Sequence, residues 1–158
     1  MDVEQARARI AAVRASTERV TTDELDLLWT ALETVRPEGI LGAWKGSAFV
    51  TGHHVEEMLE QARWHGKHFQ SVSDVQPLIC RDETGQLFSN TELGGGEASL
   101  WMVEFRGEST ATMVYDGRPI LDHFKRIDAH TLMGVMNGRG VLDADGRHFY
   151  FVLEREHS

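Results

Sequence analysis

From Gln76 onward the chain is a succession of short strand-like runs broken by tight turns, with no helical periodicity between them. Pro77–Arg81 and Gln86–Ser89 flank the hairpin loop Asp82-Glu83-Thr84-Gly85, and Leu100–Arg106, Thr110–Tyr115, Ile120–Ile127, Thr131–Met136 and Phe149–Glu154 follow. Gly107-Glu108, Asp116-Gly117, Asp128-Ala129 and Asn137–Gly146 separate the later runs. Strands that succeed one another without a crossover helix pair antiparallel, as a meander. An earlier Gly-punctuated run, Leu41 to Gly52, brings the count to about eight, enough to close a small barrel around a cavity.

What precedes the strands reads as helix. Val3, Ala6, Ile10 and Val13 recur at helical spacing within Asp2–Ala15. Thr21 with Glu24 fits a capping box, Leu25, Leu28, Trp29, Leu32 and Val35 form one stripe, and Pro37 with Gly39 marks a stop. Val55, Met58, Leu59 and Ala62 give a shorter amphipathic helix that runs into the aromatic and cationic cluster Trp64-His65-Gly66-Lys67-His68-Phe69. The expectation is α+β: a helical segment over residues 1–70 packed on an antiparallel β-barrel part over residues 71–158, together forming one structural domain. The two helical stripes could instead form a homodimer surface.

Composition narrows the function classes. With 158 residues and 41% hydrophobic content the chain can bury a core, and its formal charge of −9 argues against a general nucleic-acid surface. A single cysteine, Cys80, excludes an intramolecular disulfide and suits a reducing cytoplasm. Charges at Asp2, Glu4, Arg7 and Arg9 break any signal-like apolar core, and no apolar run approaches the roughly 20 residues that membrane insertion needs.

The most chemically loaded stretch is Thr110–Asp128. Asp116-Gly117, two residues that tolerate positive φ, reads as the turn of a hairpin. In its second strand, alternation puts Asp122, Phe124 and Arg126 on one face and Leu121, His123, Lys125 and Ile127 on the other. Neither face is purely apolar, so whichever is buried must take an ionisable group with it. Other motifs carry less. Eight histidines are present, but without the spacing of a zinc site, and no metal or other cofactor is expected. Gly94-Gly95-Gly96 lacks the Gly-Lys-Ser/Thr ending of a nucleotide loop and reads as a hinge or linker. Cys80 lies in an apolar run and reads as a small buried hydrophobe.

Two roles fit the remaining constellation. As a binding site, a cation such as Lys67 or Arg126 would anchor an acidic or carbonyl head group inside the barrel. Trp44, Trp64, Phe69, Trp101, Met113 and Phe124 would clasp the apolar body, with Tyr115, Asp116 and Asp122 as further polar contacts. Trp44, flanked by Gly42 and Gly46, equally well fills the barrel floor. As a catalytic site, Asp122 or His123 would act as general base while Lys67 or Tyr115 polarises an oxygen.

Gly42-Ala43-Trp44-Lys45-Gly46 is similar to the signature of the GXWXG protein family. Trp64–Phe69, Met113–Phe124 and Phe149–Arg155 resemble the domain of unknown function, DUF4334, that follows it, so the likeness runs from about Leu25 to Arg155. The resemblance implies a calycin-like barrel, shaped like lipocalins and fatty-acid-binding proteins and preceded by helices. It also singles out Trp44, Lys67, Asp116, Pro119, Asp122 and Phe124 as signature residues. The leading expectation is a cytoplasmic protein that binds a small, largely apolar molecule with a polar head group. The alternative is a cofactor-independent isomerase, dehydratase or cyclase using the same cavity. A third reading is an interaction module that dimerises through its helices.

Overall fold

Two capped helices lead the chain. In the computed structural model, which describes residues 1–157, Asp2 accepts the Gln5 N–H at 2.8 Å and the Gln5 side chain accepts the Asp2 N–H at 2.9 Å. This reciprocal box starts α1 (Val3–Ala15), and Thr21 caps α2 (Thr22–Ala31) by accepting the Glu24 N–H. α2 ends well before Pro37, because Glu33–Thr34 leaves the helix as β1 and pairs with Arg126 and Lys125. Val35, expected on the helical stripe, consequently joins a different core from Leu25 and Leu28.

The remaining elements are β2 (Gly42–Ala48), α3 (His54–Gln61), β3 (Trp64–Ser71), β4 (Asp74–Arg81), β5 (Leu87–Ser89), α4 (Thr91–Gly94), β6 (Ala98–Phe105), β7 (Glu108–Tyr115), β8 (Ile120–Asp128), β9 (Thr131–Gly138) and β10 (Phe149–Arg155). Pairing runs β8-β7-β6-β4-β3-β2-β10-β9, and β9 pairs back to β8, so these strands trace a ring-like antiparallel sheet. Its thinnest seam lies between β4 and β6, where Val75 opposite Ala98 is the paired position. The expected strand number is met with one exchange: β5 sits beside β4 off the ring, and β3 takes its place. The pairing of β3 with β4 is broken by register shifts, which hide its period-two pattern in the sequence. β2 and β3 therefore belong to the sheet, and the division at residue 70 falls inside the β3–β4 hairpin. Among the described residues no helix is long and apolar enough to cross a membrane.

The ring is covered unevenly. α1 and α2 lie against the outer face of β8, β9 and β10, burying Ile10, Leu25, Leu28 and Trp29 against Ile127, Met133, Val135, Tyr150 and Val152. The helical stripes considered for a dimer are thus turned onto the sheet. Inside the ring a separate core contains Trp44, Phe69, Met113, Phe124 and Phe151. Strands with both faces buried read as nearly unbroken apolar runs, as Phe149–Leu153 does.

β8 keeps the expected alternation, with both faces buried. Its outward charge, Lys125, donates to the Trp29 carbonyl at 3.1 Å and pairs with Glu108 at 2.5 Å. His123 also points outward, stacked on Phe105 at 4.0 Å between ring centroids, so it stands on the opposite face from Asp122. This corrects its candidacy as a general base in the cavity. Its protonation state follows from its neighbours. The Gly138 N–H donates to Asn137 Oδ1, which leaves the Asn137 amide nitrogen facing His123 Nε2 at 3.1 Å as a donor. Nε2 must then be unprotonated, and Nδ1 carries the hydrogen, 2.9 Å from Thr112 Oγ1. Burial, reinforced by His148 and Arg106, pushes His123 down to about 4.

An imidazole in the unfolded chain titrates near ~6.5, so on acidification it takes up a proton that folded His123 refuses. Stability should fall as pH drops from ~6.5 toward 4. Thermal melts across this range should show that decline, and His123→Phe should reduce its slope; an unchanged slope would refute the assignment. Leu28→Ala, which empties a fully buried site under α2, should cost about 2–5 kcal/mol in urea unfolding.

Candidate functional site

A cavity of about 250 Å³ opens inside the ring. Its walls are Trp64 and Lys67 from β3, Leu78 from β4, Tyr115 from β7, Ile120 and Asp122 from β8, Met136 from β9, and Phe149 and Phe151 from β10. Val55, Met58 and Leu59 of α3, Leu93 of α4, and Arg118 complete the lining. Met58 and Arg118 are exposed, so this side is the mouth. Everything else in the lining is apolar except Lys67, Asp122 and the Tyr115 hydroxyl.

The Gly-Ala-Trp-Lys-Gly segment builds one wall by exchanging indoles. Trp44 itself is buried in the core, its indole N–H donating to the Ile40 carbonyl at 2.9 Å and its ring 4.3 Å beneath the Arg155 guanidinium. The second glycine of the motif makes room for a different tryptophan. A Cβ at Gly46 would stand 2.1 Å from the Trp64 ring, which lies across that backbone and reaches the cavity.

The β7–β8 connection forms part of the mouth. It is longer than a two-residue turn, spanning Asp116–Pro119, and Gly117 does not adopt positive φ. Gly117 is needed for a close approach instead, since a Cβ there would lie 2.0 Å from the Gly95 carbonyl oxygen. Gly94-Gly95-Gly96, expected as a hinge or linker, ends α4 with Gly95 in the left-handed region (φ 68°), and the Gly96 N–H donates to Thr91 at 2.8 Å. Arg118 ties this segment down by donating to the carbonyls of Leu93 at 3.3 Å and Glu92 at 3.2 Å.

At the wall of the cavity Lys67 Nζ lies 2.9 Å from Asp122 Oδ2, with side-chain exposures of only 2% and 3%. Lys67 also donates to the Pro77 carbonyl at 3.1 Å and sits 5.3 to 5.8 Å from the ring centroids of Phe151, Trp64 and Tyr115. Asp122 Oδ1 is buried and has no hydrogen-bond partner among the described residues. Burial pushes the Asp122 carboxyl up, against the opposing charge and hydrogen bond of Lys67. Burial first, then the Asp122 charge, lifts the Tyr115 phenol well above its ordinary range. Cys80 lies buried in the inner core with its thiol raised by burial.

Of the residues singled out from sequence, Lys67, Asp122, Tyr115 and Trp64 meet at this cavity. Trp44, Phe69, Met113 and Phe124 pack in the core behind it. The others lie elsewhere. Trp101 is 60% exposed on the outside of β6, where neither α1 nor α2 covers the sheet. Asp116 is exposed in the connecting loop, and Arg126 is half-buried opposite Glu33 of β1. Trp101 was chosen for residue type, which does not report whether a strand's outer face is covered. Missed from the lining are Val55, Met58, Leu59, Leu78, Leu93, Arg118, Ile120, Met136, Phe149 and Phe151. The alternation of Phe149, Phe151 and Leu153 was the available signal for β10, and the stripe of Val55, Met58 and Leu59 for α3; Leu93 of α4 had none.

Comparison with known proteins agrees with this architecture. The GXWXG protein family matches residues 27–85, and the domain of unknown function DUF4334 matches residues 96–155. No curated protein matches the chain. A crystal structure of a protein from Thermomonospora curvata is similar at a TM-score of 0.87 and 34% identity, covering 97% of this chain and 99% of that one. With both segments matched in order and a relative alike over nearly its whole length, the chain belongs to the GXWXG family with a DUF4334 domain.

Proposed function

We propose that the ring is a calycin-like container that binds a small, largely apolar molecule with a polar head group. The observation that carries this reading is Asp122, a residue in the wall of a largely apolar cavity whose buried Oδ1 has no partner among the described residues. A bare buried acceptor is costly, and a well-packed apolar pair in place of Lys67 and Asp122 would often fold as well or better. Their cost is offset if a ligand brings the missing partner. Size limits the guest: 250 Å³ equals roughly eight water volumes at about 30 Å³ each, room for on the order of ten non-hydrogen atoms. Trp64, Phe149, Phe151 and Met136 offer flat and pliable surfaces for the apolar body.

A second reading rests on the same carboxyl. Burial raises the Asp122 carboxyl, the direction that makes a carboxylate a stronger base, and Tyr115 lines the same space. A substrate held there could undergo proton transfer in a cofactor-independent isomerisation, dehydration or cyclisation.

Native mass spectrometry of freshly purified protein should reveal a co-purified small molecule, and an apo spectrum together with no uptake of eight- to ten-carbon probes would count against binding. Met136→Trp, which fills the cavity, should weaken such uptake by about tenfold or more while thermal unfolding stays cooperative. The two readings part at Asp122→Asn. A carrier returns its ligand chemically intact with or without the substitution, whereas an enzyme loses turnover in the variant and keeps most of its affinity.

A further inference from the structure

We infer that the polar group of the ligand is a neutral hydroxyl that donates its hydrogen to Asp122 Oδ1, and not an acid, amine, ether or carbonyl. The inference rests on the cavity-binding reading above and specifies its ligand class. Sequence alone favoured an acidic or carbonyl head group held by a cation. The geometry points the other way, because the charge of the cation is already matched: Lys67 Nζ faces Asp122 Oδ2 at 2.9 Å and the Pro77 carbonyl at 3.1 Å. The atom left without a partner is an acceptor, Asp122 Oδ1.

Charge bookkeeping then removes the ionic candidates. At the buried wall Lys67 and Asp122 sum to zero, and Arg118, the other charge in the lining, is exposed at the mouth and held on the Leu93 and Glu92 carbonyls, so an ionised head group beside Oδ1 adds an uncompensated charge there. A carboxylate would bring a second anion against Oδ1, and like charges repel strongly where the dielectric is low. An ammonium would share Asp122 with Lys67 and leave the excess positive charge buried. Ethers and carbonyls avoid the charge penalty but have no hydrogen to give, so Oδ1 stays bare. An alcohol satisfies it without changing the net charge. Lys67 has three N–H donors, two of them engaged, and the third is free to meet the hydroxyl oxygen.

The test is a matched series: 1-octanol, octanoic acid, octylamine and methyl heptyl ether, titrated at pH 7 and followed by tryptophan fluorescence, since Trp64 lines the cavity. 1-Octanol should bind about tenfold or more tightly than each of the others, as expected for a hydrogen bond to a charged acceptor. In the Lys67→Met/Asp122→Leu double variant the alcohol and the ether should bind within about threefold of each other. The isosteric Asp122→Asn variant, which keeps shape and loses charge, should also shrink the alcohol preference and serves if the double variant does not fold. An alcohol no better than the ether, or an acid or amine that binds most tightly, overturns the hydroxyl assignment while leaving the cavity reading intact. Saturation by none of the four overturns both.

Discussion

Over Asp122–Lys125 both faces of β8 are buried, the inner one in the ring's interior and the outer one toward α1 and α2, so every ionisable residue there must be answered by protein. Lys125 is answered by Glu108 and a helix carbonyl, and His123 by Thr112 and Asn137 at the expense of its charge. Asp122 is half answered, by Lys67 alone. That asymmetry sets Asp122 apart along the strand. Where both valences of a buried group are met, the fold alone accounts for the residue; Asp122 Oδ1 is the atom on this strand that the described residues leave unmatched.

Sequence reasoning reached the strand meander, the Thr21 cap of α2 and the alternation of β8 because each depends on contacts within a few residues. Thr21 and Glu24, or Asp122 and Phe124, sit at spacings that a backbone period fixes. Failure came where distant chain decides. β1 takes two residues from the end of a helical stripe because β8 offers an edge, and nothing near Glu33 announces that. β3 hides behind its register shifts. Trp101 looked like a ligand contact and is a surface residue, since only the placement of α1 and α2 determines which outer strand faces are covered.

The family motif acquires a physical meaning in this light. Its tryptophan does not line the cavity; it packs in the core, held through Ile40 and Arg155. Its second glycine leaves a flat bed of backbone on which the Trp64 ring lies. One indole supports and another presents, and the two are set by residues two positions apart. A motif read as a tryptophan flanked by glycines is thus better understood as a seat for an aromatic ring supplied by the neighbouring strand.

Ala48 lies opposite Phe151, and this pairing of β2 with β10 closes the ring between segments far apart in the chain. β2 emerges first among the ring strands and β10 last, so one edge of β2 stays unmatched until synthesis has passed Phe151. Over that interval the apolar sides of α1 and α2 also lack Tyr150 and Val152, part of the floor they rest upon. Without β10 the ring has an open edge and the helices an uncovered side, and this one strand completes both. Assembly order, as much as equilibrium stability, constrains what substitutions the β10 segment can accept.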